Sequence, residues 1–131
     1  MLNEAVVLVG FWRSLPAAEF LDWYAANAGR LSGYYGPLQV AGAVLAIAAA
    51  AVHRRRAGGG LRILAAVLAV VPLGMFFVYF KDVNASFAAG TMALDRVPAA
   101  LAGWSFWQWV RTAIGTGAFV SALAAVRSHD G

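Results

Sequence analysis

The run Leu101-Ala102-Gly103-Trp104-Ser105-Phe106-Trp107-Gln108-Trp109-Val110-Arg111-Thr112-Ala113-Ile114-Gly115 opens an apolar segment that continues to Val126 and holds one charge, Arg111. A stretch of this length and composition reads as a membrane-spanning helix. A guanidinium near the centre of such a helix costs roughly 2.5–3.5 kcal/mol on insertion scales, so it turns toward a protein interior and finds partners there. Its neighbours Trp104, Trp107, Gln108 and Trp109 are large aromatics and an amide, the material of a built pocket rather than a plain lipid-facing surface.

The rest of the chain agrees with this reading. Of 131 residues, 62% are hydrophobic and 12% charged, and the mean hydropathy is +0.70; that balance belongs to an integral membrane protein and excludes a large soluble domain. The pI of about 10.1 comes from clustered arginines, which act as topology signals and argue against nucleic-acid binding. The chain has no cysteine, so disulfides, thiolate metal sites and a cysteine nucleophile are excluded. His53 and His129 lack partners at ligand spacing, and no metal site is expected.

From the N-terminus, Leu2 to Trp12 is apolar but too short to cross a ~30 Å core unaided. Pro16 suits a first helical position and Glu19 a helix N-terminus. An amphipathic interfacial helix is expected from Pro16 to Asn27, with Glu19, Trp23 and Ala26 on one face. Gly33-Tyr34-Tyr35-Gly36-Pro37 is expected to end that unit. A span comes next over Leu38 to Val52, interrupted only by Gln39.

The loop from His53 to Arg62 carries four arginines and no acid, which places Arg54–Arg56 and, with Arg127, the C-terminus in the cytoplasm. The next span is Leu61 to Phe80, with Pro72 inside it, and its helical rhythm continues through Asn84 to Phe87. Ala88 to Pro98 reads as an outer connection. The expected fold is therefore all-α: a single transmembrane domain over residues 1–131, an up-and-down four-helix bundle with a short first span. Small residues Gly42, Ala43 and Ala46 on one helix and Gly115, Gly117 and Ser121 on another permit close packing within the bundle or in a homo-oligomer.

Trp104, Trp107, Gln108, Arg111 and Gly115 share a helix face. Asn84 and Asp82 arrive at similar depth from the preceding helix, beside Phe80. A guanidinium, an amide and a carboxylate among aromatics would bind a flat, oxygen-bearing hydrophobic molecule and stabilise an enolate or phenolate. Glu19 and Trp23 are further candidates to line that pocket. A purely structural clasp between helices uses the same groups, and so would a membrane cyclase or isomerase.

Trp107-Gln108-Trp109-Val110-Arg111-Thr112-Ala113-Ile114-Gly115, with Asn84 before it and Leu15-Pro16-Ala17-Ala18-Glu19-Phe20 near the start, resembles the anthrone oxygenase-like family of small four-helix membrane proteins. The resemblance covers nearly the full length and is most specific in the Trp-x-Trp-x-Arg-Thr stretch. It implies oxidation of an enolisable aromatic or polyketide-type substrate without metal, flavin or other cofactor. Where family members often carry His, this chain has Gln108, and an amide cannot take a proton at neutral pH. The base then falls to Asp82 or Glu19.

Overall fold

The computed structural model describes residues 1–53 and 55–128, and it is helical throughout, with no strand among them. Arg54 and His129 lie outside the described residues. The chain opens with a π-helical turn, Glu4–Leu8, running into α1, Val9–Ser14. Leu15 then turns extended, at φ −85° and ψ 145°, as the residue before a proline must. Pro16 has no N–H to give, and its carbonyl accepts the first bond of the next helix from Phe20 at 3.0 Å.

That helix, α2, runs unbroken over Ala17–His53. The expected stop at Gly33–Pro37 is a correction to the sequence reading, because Pro37 lies inside the helix. A proline removes one backbone bond and crowds the carbonyl four residues earlier. Here that carbonyl belongs to Gly33, and the apolar residues on either side keep helical backbone, so the helix carries through. The separate interfacial helix of residues 16–27 is accordingly the first third of α2. Its buried face is also different: Phe20, Leu21 and Tyr24 turn inward, while Glu19 and Asp22 are exposed.

The second rod comprises α3, Gly59–Met75, a π-helical turn, Phe76–Phe80, and α4, Lys81–Ala89. Gly90, at φ +65°, closes it with a backbone bond to the Phe87 carbonyl, the usual left-handed glycine stop. A short 3₁₀ turn, Leu94–Arg96, leads into α5, Val97–Arg127, with Pro98 in its first turn. Among the described residues, three helical stretches are long and apolar enough to cross a membrane: Ala17–His53, Gly59–Ala89 and Leu94–Arg127. The first segment, Glu4–Ser14, is shorter and packs against α5.

Neighbouring rods are joined by short connections and run antiparallel, with α3 between α2 and α5, and α2 also against α4. One end of the bundle is an aromatic core where α1, the start of α2, the end of the second rod and the start of α5 converge. Phe20 and Phe87 meet edge to face at 4.9 Å, and Trp12 meets Trp104 at 5.1 Å; each such pair adds about 0.5–1.5 kcal/mol beyond its buried area. At the other end, Arg62 donates to the carbonyls of Ala57 and Ala125 at 2.7 and 3.3 Å, tying the α2–α3 loop to the end of α5. The outer surface between these ends is apolar: Leu45 is 70% exposed, Val52 71% and Val78 85%. Soluble monomers rarely present contiguous apolar surface on that scale.

Candidate functional site

A cavity of about 540 Å³ lies between the N-terminal segment, α2, the π-helical turn, α4 and α5. That volume is in the range of small-molecule sites. Arg111 reaches it from α5 and is 2% exposed. Its Nη2 donates to the Gln39 side chain of α2 at 2.6 Å, and its Nη1 donates to the Gln108 side chain at 3.2 Å. The guanidinium carbon stands 4.4 Å from the centre of the Phe80 ring, a cation–π contact in a desolvated setting.

Behind Arg111 lies an acid. Gln108, fully buried, donates its amide N–H to Glu4 at 3.3 Å and to the Met1 carbonyl at 3.0 Å. Glu4 is itself buried, lines the cavity, and has the Met1 amino group 3.0 Å from its carboxylate. One amide therefore bridges the cation and the anion. Gln108 has 0% exposure, and both ends of its amide are used, which fixes the orientation of both charged neighbours.

Among the described residues, two buried side-chain donors are without a hydrogen-bond partner: Arg111 Nε and Trp12 Nε1. Both residues line the cavity. An unmatched buried N–H costs about 1–3 kcal/mol, so each of the two residues keeps unused donor capacity beside the cavity. Asn84 also lines the cavity; its side-chain oxygen accepts from Trp104 Nε1 at 2.8 Å. That bond commits the acceptor end of the amide and leaves its NH2 end for other partners.

The sequence-derived candidates divide clearly. Arg111, Asn84 and Trp104 line the cavity, Phe80 lies under the guanidinium, and Gln108 holds it. Asp82 and Glu19 are exposed and neither lines the cavity, so the two acids offered as bases are misplaced. Trp107 is 40% exposed and packs against Tyr79 and Phe106, outside the cavity. Trp23 is half-buried against Phe11 and Trp12, again outside it.

Glu4, Gln39, Trp12 and Tyr24 are site residues that the sequence reading did not assign. A signal existed for the first two, since each is a polar group set in an apolar run. Among the described residues, no group of three His, Asp or Glu side chains is placed to hold a metal ion. Comparison with protein-family models, with curated proteins and with solved structures finds no match to this chain.

Proposed function

We propose that this chain is an integral protein of the inner or plasma membrane, with the Arg54–Arg56 loop and C-terminus cytoplasmic, that binds a hydrophobic, enolisable aromatic and oxidises it as an anthrone oxygenase-like enzyme. The observation that carries the reading is the buried Arg111 guanidinium at the cavity, anchored by Gln39 and Gln108 yet retaining an N–H without a protein partner. Such a fixed donor is suited to a developing oxyanion. Trp12 Nε1 supplies a second donor, and Trp104 and Tyr24 supply aromatic walls for a flat ring.

Glu4 replaces Asp82 and Glu19 as the group that takes the proton, because it is the carboxylate lining the cavity. Removal of a proton from the ring methylene gives an enolate whose oxygen pairs with Arg111. Dioxygen adds at that carbon to give a peroxide anion, which takes the proton back from Glu4; the resulting hydroperoxide loses water to leave a carbonyl. One oxygen atom enters the product, the other departs as water, and the methylene carbon is oxidised while dioxygen is reduced.

A second reading rests on a specific contact. The Arg111 bond to Gln39 links α5 to α2, which a non-catalytic membrane protein would use as an inter-helix clasp.

The test is oxygen uptake by purified protein in phosphatidylcholine vesicles supplied with anthrone, measured above the protein-free rate. The expected result is one dioxygen consumed per quinone formed, with Glu4→Gln lowering kcat by about 10²–10⁴-fold, the worth of a positioned base, while anthrone binding persists. No uptake above the protein-free rate, or an unchanged rate in Glu4→Gln, would overturn the oxidation chemistry.

A further inference from the structure

The cavity walls are unequal. On one side stand buried residues: Glu4, Trp12, Trp104 and Arg111. On the other, the lining passes through exposed positions of α2, among them Gly29, Ser32 and Gly36, and through Phe77 of the π-helical turn, which is 69% exposed. Packing explains the asymmetry. α2 lies closely against α3 and against α4, but makes no comparable contact with the π-helical turn between them. A π turn widens the helix and shifts the register of the residues after it, and such turns recur at functional sites.

We infer that the cavity is loaded sideways from the lipid phase, through the seam between α2 and the Phe76–Phe80 turn. The rim residues suit that route. Gly29, Gly36 and Phe77 carry no charge, and a side chain added at Gly29 or Gly36 would meet no atom within 4 Å. Both sides of the seam belong to stretches apolar enough to cross a membrane. A ligand sliding in from the acyl chains therefore leaves one apolar medium for another and meets charge at the buried wall, where Glu4 and Arg111 stand. The consequence for substrate class is direct: the site selects molecules that partition into the bilayer, and soluble, charged analogues of the same ring are excluded by the route rather than by the pocket. This inference rests on the membrane placement proposed above and not on the oxidation chemistry.

The absence of cysteine from the chain gives a test independent of any substrate. Leu8 lines the cavity from the N-terminal segment, and Leu8→Cys places a single thiol there. In phosphatidylcholine vesicles, N-ethylmaleimide, which partitions into lipid, is expected to modify it, while a permanently charged methanethiosulfonate reagent is at least about tenfold slower. Adding Gly36→Trp or, separately, Gly29→Trp to plug the seam should slow N-ethylmaleimide by about tenfold or more, as an obstructed path slows association. Gly74→Trp should not, because Gly74 is equally open to a larger side chain but lies outside the cavity lining. Equal N-ethylmaleimide rates with and without both rim substitutions, no modification in any background, or a charged reagent as fast as the neutral one would each overturn the lateral route. A failed anthrone assay with these rates as expected would discard the oxidation chemistry and leave the route standing.

Discussion

Replacing Gly58 with alanine perturbs the fold at the point where the α2–α3 loop meets the end of α5. Gly58 sits at φ +73°, a left-handed backbone that costs a residue with a β-carbon about 1–2 kcal/mol. The added β-carbon would also fall 2.8 Å from the Ala125 carbonyl oxygen and 3.1 Å from its α-carbon. These are backbone atoms that cannot rotate aside, and forcing them apart adds about 1–3 kcal/mol. Together the two effects come to about 2–5 kcal/mol. Because the Ala125 carbonyl also accepts from Arg62, relief by moving α5 would loosen that tie. Thermal unfolding in mild detergent should therefore show a midpoint lowered by at least about 6 °C, at roughly 3 °C or more per kcal/mol for a chain of this size. Gly103→Ala is the matched control: its β-carbon would approach Tyr79 Oη at 2.9 Å, but that is the tip of a side chain, and alanine is the better helix former by about 0.5–1 kcal/mol. A Gly58→Ala midpoint within about 2 °C of the parent, or an equal fall in Gly103→Ala, would refute the reasoning.

Gln39→Leu should lower stability by about 1–3 kcal/mol, since it strips the 2.6 Å acceptor from a buried guanidinium N–H; the same melting assay reads it. Asn84→Leu should cost a similar amount by orphaning Trp104 Nε1, which is bonded to Asn84 at 2.8 Å. Trp12→Phe relieves an unpartnered buried N–H but loosens the packing on Phe20, Tyr24 and Trp104; the two effects oppose, so the melting midpoint should move little while anthrone binding weakens by roughly fivefold, about 1 kcal/mol.

Arg111 was legible in the sequence because its cost in an apolar helix is large and one-sided, and the structure does bury it beside a cavity. Gln108 and Asn84 came from helical spacing. The same periodicity argued too broadly for their neighbours. Asp82 is two residues from Asn84, and positions two apart on a helix face opposite ways, so once Asn84 turns inward Asp82 cannot. Trp107 lies at the edge of the Arg111 face and packs on Tyr79 instead. Glu4 was hidden for a different reason: its bond to Gln108 joins residues 104 positions apart, and local patterning carries no information at that range. Pro37 misled because the residues that end helices in water are tolerated inside long apolar ones.

The most direct test of the account is a tryptophan-fluorescence titration of anthrone into vesicle-embedded protein, comparing the parent with Arg111→Lys and recording the melting midpoint of each. Lysine keeps the charge but loses the planar fork that bonds Gln39 and Gln108 and the unpartnered Nε–H beside the cavity. At least about a tenfold loss of affinity, roughly 1.4 kcal/mol, is expected, with the helical fold retained. Equal affinity in the two proteins, with a loss of thermal stability as the sole difference, would contradict it and make Arg111 a clasp between helices.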